Sequence, residues 1–293
     1  MPKVTAPASP TRAEIEHILV PAESIGAVER SLSPIERITN LDWVRRGAIL
    51  LLLASTWEGY ARYLDNPLLL PTFSATLKAL SSAAMEGNLL SRVWGSLQVL
   101  LLGYVLGVLL AGALSAFAVS SRFGGDLLST LTSMFNPLPA IALLPLSMLW
   151  FGLGMPSLVF VIVHSVLWPV ALNTQTGFLA VSETQRMAGR NYGLTGLPYV
   201  WRILVPAAFP SILAGLKIGW AFAWRTLIAA ELVFGVASRS GGLGWFIFEH
   251  RNELQTDYVF AGLMMVILIG LFVEEVIFRT IAHRTVVRWG LER

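Results

Sequence analysis

The feature that most constrains this chain is a set of apolar runs long enough to cross a lipid bilayer. The run from Val99 to Ala118 is one of them. A bilayer core of about 30 Å is crossed by roughly 20 residues of α-helix, which rises about 1.5 Å per residue. Only 13% of the residues are charged, whereas a soluble domain carries roughly a quarter. We therefore interpret the chain as an integral membrane protein of the all-α class.

The residue types present exclude several kinds of chemistry. The chain has no cysteine, so disulfides and thiolate metal sites are impossible. Its histidines, His17, His164, His250 and His283, lack the spacing of metal ligands. No glycine-rich phosphate loop precedes a lysine, and neither a His-Glu-x-x-His nor a Gly-x-Ser-x-Gly motif occurs. We expect no catalytic residue, no cofactor and no ATPase activity on this chain.

Hydropathy divides the chain into a tail and a membrane domain. Residues 1–43 are polar and punctuated by proline, which predicts a cytosolic tail, and residues 44–293 form the transmembrane domain. The segment from Pro71 to Met85 is too short and polar to span, so we expect it at the membrane interface. Six spans are predicted, at residues 44–64, 93–119, 126–150, 156–179, 209–236 and 258–282.

Two of these spans contain residues that predict their packing. The second carries Gly103-x-x-x-Gly107, a spacing that lets two helix backbones approach closely. The third contains Pro137, Pro139 and Pro145. Proline frees backbone carbonyl groups, which is tolerated in a membrane only against protein or water. The third span is therefore expected to face the interior of the bundle.

The distribution of basic residues predicts the orientation. The pI is about 9.4, but the basic residues form no single patch, so we expect no nucleic-acid partner. With six spans, fourteen Lys and Arg residues lie on the side of both termini and five lie on the other side. Cytoplasmic loops carry such an excess of Lys and Arg. This predicts a multi-pass protein of the bacterial inner membrane with both termini in the cytoplasm.

A polar segment between the fourth and fifth predicted spans carries a specific pattern. Residues 187–206 read Met-Ala-Gly-Arg-Asn-Tyr-Gly-Leu-Thr-Gly-Leu-Pro-Tyr-Val-Trp-Arg-Ile-Leu-Val-Pro. The spacing resembles the cytoplasmic loop of binding-protein-dependent ABC importer permeases, E-A-A-x3-G-x9-I-x-L-P. The residues in register are Ala188, Gly193, Ile203 and Pro206, and the residues that differ are Met187, Gly189 and Val205.

Other segments resemble the nitrate/sulfonate/taurine branch of that family, over roughly residues 45–290. The stretch Met187 to Gly196 is most similar to aliphatic-sulfonate permeases, some of which also begin this loop with Met-Ala. The other matching segments are Pro71-Thr-Phe-Ser74, Pro137 to Pro145, Leu149-Trp-Phe-Gly-Leu-Gly154, Pro169 with Asn173-Thr174, Ala229-Ala-Glu231 and Gly242-Leu-Gly244.

The resemblance implies a six-helix permease bundle that imports a small anion such as a sulfonate or nitrate. It implies a homodimer in the lipid bilayer, two copies of a cytoplasmic ATP-binding subunit and a periplasmic substrate-binding protein. In the family, the 183–206 loop forms two short helices joined at the glycine and docks on the ATPase. Gly193 permits a turn or a close approach, Pro198 suits the first turn of the second helix, and Tyr199 to Trp201 form an apolar patch for a partner.

Polar residues inside the predicted spans are candidates for the substrate path. Arg225 either attracts an anion in a cavity or pairs with Glu231, and Lys217 either pairs with Glu231 or extends to the cytoplasmic edge. His164 is either a packing group or a ligand, and Asn173 follows it in the fourth span.

Three other functions remain as alternatives at this point. The main one is an ion-gradient-driven secondary transporter, which predicts inverted repeats and acidic ion sites. The two halves show no obvious repeat, and Glu231 is the single acidic residue deep in a predicted span. A membrane-embedded enzyme would need a catalytic pair within the spans. A structural anchor would not need charges in the middle of a helix.

Overall fold

The computed structural model describes residues 40–85, 87–234 and 241–288. The predicted tail, residues 1–43, lies almost entirely outside these ranges. The chain divides into two compact units, residues 1–53 and 54–293, and the packing below is that of the second. The α-helices are α1 Asp42–Leu64, α2 Phe73–Met85, α3 Leu89–Ser120, α4 Arg122–Phe135, α5 Leu144–Phe151, α6 Met155–Ala180, α7 Glu183–Asn191, α8 Gly196–Tyr199, α9 Val205–Phe234, α10 Leu243–Asn252, α11 Thr256–Phe272 and α12 Arg279–Ala282.

The described part of the chain confirms the all-α membrane class. Four helical stretches are long and apolar enough to cross a bilayer, namely α3, α6, Gly196–Val233 and Thr256–Val286. They contain most of the second, fourth, fifth and sixth predicted spans. The first predicted span is helix α1, which carries Arg45, Arg46, Glu58 and Arg62 and is not among the four. The count of six spans is therefore only partly reproduced.

The third predicted span is not one helix, which corrects the prediction for residues 126–150. Helix α4 and the stretch Ala140–Phe151 together are apolar enough to span, but their axes differ by 87°. Pro137 and Pro139 lie in the break. Proline lacks a backbone donor and holds the preceding residue away from helical geometry, and Pro139 itself is extended, with ψ at 119°. The chain turns sharply here instead of crossing in one rod.

Helix α6 lies between α3 and α9, and glycines make both contacts close. A Cβ at Gly103 would lie 2.6 Å from Ile162, and one at Gly107 would lie 2.8 Å from Val166. The close approach predicted from Gly103-x-x-x-Gly107 is therefore confirmed. On the other face of α6, a Cβ at Gly215 of α9 would lie 2.8 Å from the Cβ of Asn173.

We expect Gly103→Ala to destabilise the protein by about 1–3 kcal/mol, the usual cost of overpacking a filled core. Gly112→Ala is the matched control on the same helix, because no atom lies within 4 Å of its added Cβ. Alanine favours a helix over glycine by up to about 1 kcal/mol, so the control should be neutral or stabilising. Thermal unfolding of both purified variants in detergent measures the difference. Equal effects of the two changes would contradict this packing.

Candidate functional site

The 183–206 segment has the two short helices that the resemblance implies. They are α7 and α8, and Gly193 lies in the turn between them. The second helix does not stop before the fifth span, because a π-helix at Val200–Leu204 continues it into α9. The helical stretch that contains the fifth predicted span therefore begins at Gly196 and not near residue 209 as predicted. Pro206 lies just after the π-helical turn inside this continuous stretch, so its missing N–H group leaves a carbonyl oxygen of that turn without a helical donor.

Two glycines of this segment act in different ways. Gly193 has φ at +70°, which favours glycine, but no atom lies within 4 Å of an added Cβ. It is therefore required for the turn and not for a close approach. The close approach occurs at Gly189, where a Cβ would lie 2.9 Å from Ile203 and 3.0 Å from the Tyr199 ring. Gly189 thus lets α7 pack against the following helical turns.

Side chains tie the segment to the neighbouring long helices. The Arg186 guanidinium donates to the carbonyl oxygens of Phe178 and Val181 at the end of α6. The Ser182 hydroxyl accepts the backbone N–H of Gln185 and caps α7. A small buried cluster joins the segment to both spans, and its members are Phe178, Val181, Val200, Leu204 and Ala208. The segment is therefore held by both the fourth and the fifth predicted spans.

The apolar surface of the segment differs from the predicted patch. Trp201 is 69% exposed, but Val200 is buried and Tyr199 is half-buried against Gly189. The exposed large apolar residues are Met187, Tyr192, Leu197 and Trp201. Ala188, Pro198 and Pro206 are also exposed, whereas Ile203 is half-buried.

A cavity of about 310 Å³ lies where the break in the third predicted span meets α6 and α9. It is called the Arg225 cavity below. The break contributes residues 136–141, and Arg225 and His164 both line the cavity. The structure thus brings together two of the four candidate path residues. Asn173 and Glu231 do not line it.

Arg225 has no ion-pair partner within the described ranges. Its Nε donates to the carbonyl oxygen of Ala221, one turn earlier, at 3.0 Å. Its guanidinium lies 5.0 Å from the centre of the Phe222 ring, a cation–π contact. The positive charge at this wall of the cavity is therefore not neutralised by a carboxylate of the described chain.

Helix α6 contributes hydrogen-bonding atoms without a partner in the described chain to the same cavity. Both ring nitrogens of His164 and Nε1 of Trp168 are buried without a hydrogen-bond partner among the described residues. The two rings are 6.0 Å apart, and Phe135 stacks on Trp168 at 5.4 Å. Buried polar atoms are usually paired, so these atoms favour a polar occupant. Sequence reasoning missed Trp168, although it lies one helical turn after His164.

Glu231 has other partners than those predicted, so its pairing with Arg225 or Lys217 is wrong. Its carboxylate is buried and accepts hydrogen bonds at 2.8 Å from the Ser96 hydroxyl and the Gly244 N–H group. Ser96 belongs to α3, and Gly244 lies in the first turn of α10. The N-terminal end of a helix carries a partial positive charge and therefore favours a negative group. The Lys217 ammonium instead lies 3.4 Å from Glu274.

Asn173 has a structural role in its helix. Its side-chain Nδ2 donates to the carbonyl oxygen of Pro169 at 2.8 Å. Its Cβ faces Gly215, where α6 and α9 approach closely. These contacts explain its position without a ligand.

The comparisons with known proteins agree with the resemblance. Residues 103–285 match the family described as binding-protein-dependent transport system inner membrane component. The taurine transport system permease protein TauC of Escherichia coli is 31% identical over 234 residues, covering 78% of this chain and 83% of TauC. SsuC of Escherichia coli, provisionally named an aliphatic sulfonates transport permease protein, is 29% identical over 222 residues, covering 76% and 82%. The nitrate import permease protein NrtB of Synechocystis is 27% identical over 255 residues, covering 85% and 91%.

Proposed function

Because the chain belongs to the family of inner membrane components of binding-protein-dependent transport systems, in its taurine, sulfonate and nitrate branch, we propose that it forms the translocation path for a small anion. The observation that carries this proposal is the unneutralised Arg225 guanidinium in the wall of the Arg225 cavity. A charged side chain within a membrane span usually faces a cavity or a partner of opposite charge. A bound anion would be such a partner for Arg225.

The chemistry of the cavity suits an oxyanion such as a sulfonate or nitrate. A guanidinium presents several N–H donors in a planar fork that matches two oxygens of one anion. The Trp168 N–H group and the His164 ring line the same space. The relatives named for taurine, aliphatic sulfonates and nitrate support this substrate class.

The 183–206 segment is proposed to dock on a cytoplasmic ATP-binding subunit. Its exposed apolar side chains, Met187, Tyr192, Leu197 and Trp201, suit a protein partner. We propose a complex of two copies of this chain, two ATP-binding subunits and one periplasmic substrate-binding protein. Bound ATP would favour the outward-facing state, and the inward-facing state would prevail in its absence, so that one ligand shifts the equilibrium between two states. Docking requires the orientation that the basic residues predict.

Two substitutions at Gly193 test this coupling and the orientation together. Gly193→Val should strongly reduce stimulation of the ATPase by the loaded binding protein, because φ at +70° costs a side chain roughly 1–2 kcal/mol. Gly193→Asn should retain most of the stimulation, because asparagine adopts this conformation more readily. The measurement is ATP hydrolysis by the reconstituted complex.

Both variants should reach the membrane in wild-type amounts, because an added Cβ at Gly193 meets no neighbour within 4 Å. Wild-type coupling in Gly193→Val would contradict the docking role. Uptake that depended on an ion gradient and not on ATP would contradict the proposal that the chain belongs to an ATP-driven importer.

A further inference from the structure

A second cavity, of about 250 Å³, lies beside the Arg225 cavity. The two cavities share Asn136 and Pro137 at the break in the third predicted span. This cavity is called the second chamber below. Five of its seven lining residues carry a hydroxyl or amide group, and these are Ser129, Thr132, Ser133, Asn136 and Gln175. None of the seven is charged.

The polar residues of the second chamber form one face of a helix. Ser129, Thr132, Ser133 and Asn136 are spaced by three and four residues, so they lie one above another along α4 and its C-terminal cap. Gln175 faces them from α6. The Ser133 hydroxyl donates to the carbonyl oxygen of Ser129. The other polar side chains of the row suit a water-filled or ligand-filled space.

Thr132 provides the second, independent sign of a ligand. It is only 6% exposed, and its hydroxyl oxygen is buried without a hydrogen-bond partner in the described chain. Threonine in a helix often bonds the carbonyl oxygen four residues earlier, as Thr130 does with Asp126 at 2.8 Å. Thr132 makes no such bond, which leaves its O–H group available to the chamber.

The second chamber lies toward the 183–206 segment. On α6, Trp168 lines the Arg225 cavity, whereas Leu172 and Gln175 line the second chamber one and two turns further along. Helix α6 then ends at Ala180, and α7 begins at Glu183. An anion that moves from the Arg225 cavity toward this end therefore meets the second chamber next.

We propose that the second chamber is a second anion-binding site, in which uncharged hydroxyl and amide groups receive a small oxyanion from Arg225. The inference rests on the proposed function. Hydrogen bonds from a cation are roughly twice as strong as those from neutral groups. A path must bind its ion strongly enough to admit it and weakly enough to release it. A charged site followed by a neutral one meets both requirements.

The absence of cysteine from the sequence allows a direct test. Thr132→Cys and Gln175→Cys each introduce a single thiol into this chain, within the complete complex in inside-out membrane vesicles. The probes are anionic 2-sulfonatoethyl methanethiosulfonate and its cationic trimethylammonium analogue. Labelling of this chain is followed by mass spectrometry. Thr130→Cys is the matched control, because Thr130 is exposed on the same helix but does not line the chamber.

The ratio of anionic to cationic labelling rates at Thr132→Cys should exceed that at Thr130→Cys by about tenfold, a modest effect for electrostatic focusing in a cleft. Added taurine or nitrate should slow the anionic reaction. Gln175→Cys provides the same readout should Thr132→Cys fail to reach the membrane. Equal ratios at the chamber and control positions, or no labelling of either chamber variant, would overturn the inference.

The test separates this inference from the proposed function. If the wild-type complex shows no ATP-dependent uptake of taurine or nitrate while Thr132→Cys keeps its preference for the anionic probe, the chamber stands and the import function fails. If uptake occurs and the preference is absent, the import function stands and the second site fails.

Discussion

Replacing Arg225 with glutamine is expected to lower ATP-dependent uptake of taurine or nitrate about 10- to 100-fold. A hydrogen bond to a charged group contributes about 1.5–3 kcal/mol, and each 1.4 kcal/mol corresponds to about tenfold in affinity. The measurement is uptake into proteoliposomes that contain the ATP-binding subunit and the loaded binding protein. Arg225→Lys should give an intermediate rate, because it keeps the charge and loses the planar fork.

Stability distinguishes a role in transport from a role in folding. Arg225 has no carboxylate partner among the described residues, and Glu231 is satisfied by Ser96 and Gly244. Loss of the Arg225 guanidinium should therefore shift the free energy of unfolding by no more than about 0.5 kcal/mol. Lys78→Gln removes an exposed positive charge far along the sequence, on α2, and should leave uptake unchanged. Loss of uptake together with a large loss of stability would contradict the substrate role of Arg225.

Replacing Gly242 with alanine is expected to destabilise the protein by about 3–5 kcal/mol, the range for leaving a buried charge without its partners. A Cβ at Gly242 would overlap the carboxylate of Glu231. The carboxylate would have to leave the Ser96 hydroxyl and the Gly244 N–H group. The backbone of Gly242 is extended, with φ at −102°, so any loss comes from the side chain. Thermal unfolding in detergent measures it.

A double variant separates this clash from a general loss of packing. Glu231→Ala alone should destabilise the protein, because it leaves the Gly244 N–H group unpaired. Combined with Gly242→Ala it should cost less than the sum of the two single changes, because the clash is absent when Glu231 is absent. Contacting residues show such coupling. Additive costs would show that Gly242 and Glu231 do not meet.

The local features of the fold could be predicted from the sequence because they depend on neighbouring residues. The Gly103 and Gly107 spacing predicted a close helix contact, and Ile162 and Val166 fill it. The prolines of the third span predicted an interior position, but Pro137, Pro139 and Pro145 are exposed, although the first two line the Arg225 cavity. The prolines did not predict the 87° turn, because a missing backbone donor weakens a helix without giving the direction in which the chain continues.

The candidate site could be predicted only in part because its geometry depends on distant segments. Arg225 and His164 were selected separately, and only the folded chain places them in one cavity. The partners of Glu231 lie 135 residues earlier and 13 residues later, so the angles of a single helix could not find them. The row Ser129, Thr132 and Asn136 was readable in the sequence as polar positions at helical spacing within an apolar span.

The helical stretch that contains the fifth predicted span is continuous, so it can act as a lever arm. Gly196–Val233 contains 38 residues, which extend about 57 Å at about 1.5 Å per residue. A tilt of about 5° around its midpoint would move each end by about 2.5 Å at this length. One end carries the exposed Trp201, and Arg225 and Glu231 lie toward the other. The same tilt at the Trp201 end would move Arg225, about 16 Å from the midpoint, by about 1.4 Å, roughly half the length of a hydrogen bond.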